Sequence, residues 1–295
     1  MSGQEGVGRR LFPDQLVISE PFVEDELSLP SILHLRRPAT GGESQVLATQ
    51  FRGELKKRLT PNLEGSVSGG LTLLNPDGKS SMAGVDNLEL GLKYQFLRSP
   101  DREAVASAAL EWEVGGTGRR ATGAESFDTI SPVILFGKGF GDLTDALAGL
   151  RPLAVSGLLG ASIPTRSNTR TTTGNAVTIE QHPHMLKWGG VIEYSLPYLQ
   201  SYVRDVGLPT PFDRMVLLAE LDFQTAVDQD AAGKTRGTAN LGFVWVGPGV
   251  QIAVEAVAPV NDRSGKNVGV RAFLRIGLDE VFGGRLGRPL FGGPD

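Results

Sequence analysis

The chain has 295 residues, 40% of them hydrophobic and 21% charged, with 39 Gly, 18 Pro and no Cys. That is too apolar for a disordered tail, and the missing cysteines exclude a disulfide scaffold, a thiolate metal site and a Cys nucleophile. A formal charge of −4, with basic residues scattered, gives no footprint for nucleic acid, and no apolar run approaches the ~20 residues of a membrane helix.

Residues 1–26 read as an N-terminal segment, partly disordered, and 27–295 as one β-barrel domain. Met1 to Arg10 is Gly-rich and polar without the apolar core of a secretory signal, which leaves the cell address open. The first predicted strand is Leu27 to Arg36, interrupted by Pro30, followed by weaker strands over 46–59 and 63–74.

From there the period-two pattern is strong. In Asn87 to Phe96, Leu88, Leu90, Leu92, Tyr94 and Phe96 alternate with Glu89, Gly91, Lys93 and Gln95, so one face is apolar and the other polar. Ala106, Ala108, Leu110, Trp112 and Val114 likewise alternate with Ser107, Glu111 and Glu113. Segments 130–138 and 152–164 are weaker. Leu186, Trp188, Ile192 and Tyr194 then face away from Lys187 and Glu193, and Leu217, Ala219, Leu221 and Phe223 away from Leu218, Glu220, Asp222 and Gln224. After a weaker strand at 237–246, Ile252, Val254 and Ala256 oppose Glu255, and Val268 to Leu278 oppose Arg271 and Arg275. About 12 strands result.

The connections alternate between long and short, with 165–183 the longest. An even number of strands of about ten residues, with long loops at one rim and short turns at the other, describes an antiparallel up-and-down transmembrane β-barrel. Tyr94, Phe96, Trp112, Phe136, Tyr194, Tyr198, Phe223 and Trp245 near strand ends fit an interfacial girdle. The lumen-lining candidates are then Glu89, Lys93, Glu111, Glu113, Lys187, Glu193, Glu220, Asp222, Glu255, Arg271 and Arg275, in which acidic residues outnumber basic ones and hint at cation preference. A soluble β-barrel with its apolar face turned inward around an apolar ligand is the competing fold.

The strings Asp86 to Phe96, Phe136 to Leu143 and Glu193 to Leu199 resemble proteobacterial outer-membrane transporters similar in style to the phenol-degradation-pathway outer-membrane transporter family. The resemblance runs from about Pro21 to Phe291. It implies a barrel of 12 or a similar number of strands in the outer membrane of a Gram-negative bacterium. The expected signal peptide is missing, and the chain ends Phe291-Gly292-Gly293-Pro294-Asp295 instead of on a terminal-strand aromatic.

Other motifs have plainer readings. Gly115-Gly116-Thr117-Gly118 and Gly137-Lys138-Gly139-Phe140-Gly141 lack the following helix of a nucleotide fold and read as turn glycines. Glu180, His182 and His184 could in principle hold zinc or copper, but three ligands within five residues around Pro183 are awkward, so no metal and no cofactor is expected. No Gly-x-Ser-x-Gly elbow supports an esterase, and no enzyme is expected. Residues 197–213 read as a short interfacial helix or a surface loop with buried tyrosines. The expected function is a channel or transporter for passive or facilitated diffusion of small solutes. The alternative among membrane barrels is a non-conducting scaffold or adhesin. The partners are membrane lipid, a small solute and, during biogenesis, the barrel-assembly machinery.

Overall fold

A computed structural model describes residues 6–13, 15–37, 45–173, 176–282 and 286–291. Two short strands, β1 (Gly6–Val7) and β2 (Arg10–Leu11), form a small hairpin. The barrel follows with β3 (Glu26–Arg37), β4 (Val46–Thr60), β5 (Leu63–Pro76), the extension β6 (Met82–Val85), β7 (Leu88–Ser99), β8 (Ala104–Val114), β9 (Thr129–Gly139) and β10 (Leu153–Pro164). The hairpin β11 (Asn168–Thr173) and β12 (Ala176–Gln181) precedes β13 (Met185–Ser195), β14 (Met215–Ala226), β15 (Thr235–Gly247), β16 (Val250–Pro259) and β17 (Gly269–Gly277).

Each barrel strand pairs antiparallel with its neighbours in the chain, and β17 pairs with β3 from Val270↔His34 to Gly277↔Glu26. With β4 also paired to β5, the sheet closes into a 12-stranded up-and-down barrel, with β6 paired to β5 alone as an extension. Pro30 lies at the register shift between Ser28 and Ser31, where its missing N–H removes nothing from the ladder. The expected 165–183 loop is largely ordered as the β11–β12 hairpin, which stands outside the barrel sheet.

The two faces decide what solvent surrounds this barrel. Along β14, Leu217 and Leu221 are exposed on the outside while Val216, Leu218 and Glu220 are buried inside. The same holds for Leu92, Leu110, Ile134, Leu159, Ile192, Leu241 and Ile252, all exposed on the outer surface, against Lys93, Ser107, Glu193 and Glu255 buried within. A soluble barrel requires the reverse, so the apolar-ligand alternative is overturned by the direction of the side chains. A continuous outward apolar belt on strands of nine residues or more is the surface that meets lipid.

Aromatics mark both edges of the belt. Tyr94, Phe96 and Phe136 are exposed near the short-turn rim, while Trp112 and Trp188 are exposed toward the long-loop rim, the latter stacked on Phe223 at 4.3 Å. Tyr198 departs from this expectation. It lies in the turn α1 (Leu196–Tyr198) and is buried, its ring under the Arg10 guanidinium at 4.5 Å. The 197–213 connection thus contains the end of the α1 turn, a π turn over Leu199–Val203 with Tyr202 exposed, and the start of a 3-10 turn at Phe212–Arg214.

Charge in the belt is the direct test of this orientation. Leu221→Arg places a guanidinium on the lipid face in the middle of β14, where a charge costs about 2–4 kcal/mol. Urea unfolding of the vesicle-inserted protein is expected to show that loss, whereas Gln224→Glu, which places a charge on the inner face of the same strand beside Lys187 and Arg236, leaves stability near that of the parent.

Candidate functional site: a lumen occupied by the N-terminal segment

The lumen is not an open bore. Residues 10–13 and 15–25 lie inside it, held by residues of the barrel wall, and the β1–β2 hairpin seats Val7 against that wall while Gly8 and Arg9 are exposed at the short-turn rim. The expectation of partial disorder over 1–26 falls partly on residues 1–5 and 14, which lie outside the described residues. The rest has a defined place that no periodicity predicts.

Apolar packing fixes the segment at the short-turn half. Val7, Phe12 and Phe22 pack with Val105 and Ala154 of the wall, and Ile18 packs with Val133, Leu135 and Leu158. Leu11 and Leu16 rest on a third cluster that includes Val191, Val216, Leu218, Val244 and Phe273. These inward-facing apolar residues run from the short-turn ends of their strands to mid-strand at Val133, Leu158 and Phe273, where a water-filled channel would be polar. They form instead a small core between wall and segment.

Polar contacts do the rest, and their logic follows from the backbone. The segment from Gln15 to Glu24 belongs to no sheet ladder, so its buried N–H and C=O groups must find partners on side chains. Wall carboxylates accept and wall cations donate. Glu220 accepts from the Leu16 and Val17 N–H groups, both at 3.0 Å, and Glu64 accepts from the Glu24 N–H at 2.7 Å. Arg271 donates to the Leu16 carbonyl at 2.9 Å, Arg275 to the Gln15 carbonyl at 3.1 Å, and Lys93 to the Glu20 carbonyl at 3.3 Å. Gln15 donates to Glu193 at 2.9 Å, and Ser107 to the Pro21 carbonyl.

Three charged side chains of the segment complete the attachment. Glu20 is buried between Lys56 at 2.5 Å, Lys93 at 3.2 Å and Arg275 at 3.5 Å. Asp25 holds Lys57 at 2.5 Å and Arg58 at 2.8 Å. Arg10, buried at the short-turn rim, pairs with Glu103 at 3.0 Å and donates to the carbonyls of Arg151 and Pro152. Glu103 in turn accepts from the Tyr198 hydroxyl at 3.2 Å and the Gly141 N–H at 3.0 Å.

Glycine is required here for space. A Cβ at Gly139 would overlap the Arg10 guanidinium and the Glu103 carboxylate, and one at Gly141 would overlap Glu103 and the Tyr198 hydroxyl. The Gly137 to Gly141 run is therefore a site of close approach by the segment. Gly116, at φ +77, turns the other Gly-rich run, as expected of turn glycine.

Above the segment, toward the long loops, a cavity of about 560 Å³ remains. Its floor is the segment itself from Gln15 to Glu20. Glu89, Lys93, Glu111, Glu113, Lys187, Arg271 and Arg275 line it, while Glu193, Glu220 and Glu255 are buried beneath or beside the segment. Asp222, half-buried, lies on the β14 face that also carries Glu220 and Gln224. Within the cavity Arg52 pairs with Glu89 and Lys187 with Glu111, each at 2.8 Å, and Glu113 accepts from Asn87 at 2.8 Å. Among the described residues seven basic and six acidic side chains line the cavity, so the acidic excess read from the strand pattern is cancelled by Arg52, Lys56 and Arg236.

Sequence reasoning missed Arg10, Gln15 and Glu20, because their partners are distant in the chain. The available signal was Phe12, Leu16, Ile18 and Phe22 in a segment with Pro13 and Pro21, which is apolar yet unable to form a strand or helix of its own. His182 and His184, the weak metal candidates, separate: the His184 ring engages Asp228, while His182 is buried against Phe127 with ring centroids 4.3 Å apart.

No protein-family model and no curated protein matches the chain. Solved structures do. The COG4313 outer membrane channel from Pseudomonas putida F1 superposes with a TM-score of 0.57 at 13% identity, covering 90% of this chain and 98% of that one. The KdgM porin gives 0.49 at 10% identity, over 84% of this chain and 98% of that one. The translocator domain of the autotransporter NalP from Neisseria meningitidis gives 0.45 at 11%, over 85% of each. The first of these likenesses shows the fold, which this chain shares as a closed 12-stranded barrel.

Proposed function

We propose that the chain is an outer-membrane channel of a Gram-negative bacterium for small polar solutes, kept closed at rest by its own N-terminal segment. The observation that carries this reading is the cavity of about 560 Å³ that opens above a floor made of residues 15–20. A chamber of that size, lined by fixed charges of both signs, suits a small solute with polar groups. Glu89, Glu111, Glu113 and Lys187 would meet the solute first, and Lys93, Arg271 and Arg275 would meet it where the segment must yield. Up to the point where it runs into β3 the segment is held by noncovalent contacts alone, so its release breaks no covalent bond.

A non-conducting scaffold is the second reading, and the thorough anchoring of the segment favours it. Planar-bilayer recording of the purified full chain separates the two. The channel reading predicts brief, infrequent openings whose frequency rises when the segment is weakened. A bilayer that stays at baseline with both parent and weakened segment would support the scaffold.

A further inference from the structure

We propose that Glu125, Glu180 and His182 form a binding site for a divalent transition-metal cation of the zinc type, joining two loops at the long-loop mouth of the barrel. One potential ligand atom from each of the three lies within 4.8 Å of the others. Glu125 belongs to the connection between β8 and β9, while Glu180 and His182 come from β12 and the residue after its end. The site therefore bridges two elements that share no ladder.

The ligands sit on a fixed frame. The His182 N–H donates to the Ser167 carbonyl at 2.8 Å, and its own carbonyl accepts from Gln229 at 3.2 Å. Its ring packs on Phe127, and Nε2 contacts the Thr169 hydroxyl at 2.8 Å. A histidine that binds metal through one nitrogen characteristically gives the other to such a partner, which fixes the ring. Nδ1 is then the nitrogen left for a cation. The Glu125 carbonyl accepts from the Gly116 N–H at 2.8 Å and from Asn87 at 2.9 Å, which holds that loop as firmly.

Charge points the same way. Neither Glu125 nor Glu180 forms an ion pair among the described residues, though they face each other. A cation between the two carboxylates removes their repulsion. Two carboxylate oxygens and one imidazole suit zinc better than calcium or magnesium, which take oxygen alone. Zinc bonds of about 2.0–2.2 Å require the ligand atoms to close to roughly 3.4 Å of one another. Glu180 is exposed and can move to supply that closure.

The test is isothermal titration of the detergent-solubilised full chain with ZnCl2 after EDTA treatment, with heat-shifted gel migration as the check that each variant is folded. One saturable site is expected. Glu125→Gln and Glu180→Gln, which keep shape and remove charge, should each weaken it at least tenfold, and Thr169→Val, which removes the ring's partner, by about tenfold. His184→Ala, outside the cluster, should leave it unchanged. Absence of saturable binding, binding indifferent to both glutamine variants, or binding lost with His184→Ala would each overturn the proposal.

Discussion

Glu20→Ala protein in a planar bilayer is expected to open about a hundredfold more often than the parent. Glu20 is the segment's main charged anchor in the middle of the lumen, with Lys56, Lys93 and Arg275 around it. The wall does not depend on it. Lys56 also meets Glu26 at 3.1 Å, Lys93 meets Glu64 at 3.3 Å, and Arg275 lies 3.7 Å from Glu26. Removing the carboxylate therefore leaves the barrel's own pairs in place, and the cost falls on the attachment of the segment. Breaking a buried ion pair costs about 3 kcal/mol at the lower end, which is about a hundredfold in the ratio of released to seated segment.

The same group gives no pH response of its own near neutrality. Burial alone would raise the Glu20 carboxyl, but Lys56, Lys93 and Arg275 together hold it well below the ordinary carboxylate range. A carboxylate depressed on folding gives its full stabilisation above the unfolded value of about 4.3 and loses it only as pH falls through the lower folded value. The parent's opening frequency should accordingly not change through this group between about pH 7 and about pH 5.

Phe22→Ala is expected to expose the lumen wall behind the segment about a hundredfold more readily. Phe22 is fully buried, its ring 5.5 Å from that of Phe12, against Val7, Val105 and Ala154. Truncating a buried Phe to Ala costs about 3–5 kcal/mol in lost contacts and cavity, and here the loss again falls on segment against wall. Because the chain has no cysteine, a single reporter is unambiguous. Ser156→Cys, a small change at a wall position only 3% exposed, should react slowly with a membrane-impermeant maleimide in the parent and about a hundredfold faster with Phe22→Ala added. Equal rates would mean that the segment does not shield the wall.

The barrel was legible in the sequence because each strand carries its own evidence. Leu217, Leu221, Glu220 and Asp222 declare two faces within six residues, and a strand needs nothing more distant to be recognised. The lumen was legible only in its charges. Glu193, Glu220, Lys93, Arg271 and Arg275 lie on the inward face, yet what they hold is the Gln15 side chain and a stretch of backbone, between 73 and 260 residues away along the chain. Period-two reading carries no information about such contacts. The inward apolar residues Val216, Leu218, Val244 and Phe273 were the visible anomaly, since a wet lumen has no use for them. The loops show the same limit: Glu180 and His182 stand two residues apart, but Glu125 comes from another connection, and His184 turns to Asp228.

The position of the segment in the membrane-inserted protein is the central claim, and a pair of spin labels measures it most directly. Ser19→Cys lies on the segment and Ser131→Cys on the wall of β9, both lining the same cavity. Electron–electron double resonance on the doubly labelled protein in lipid vesicles is predicted to give one narrow distance distribution within the width of the lumen. A broad distribution extending beyond the barrel's diameter would place the segment outside and contradict the account.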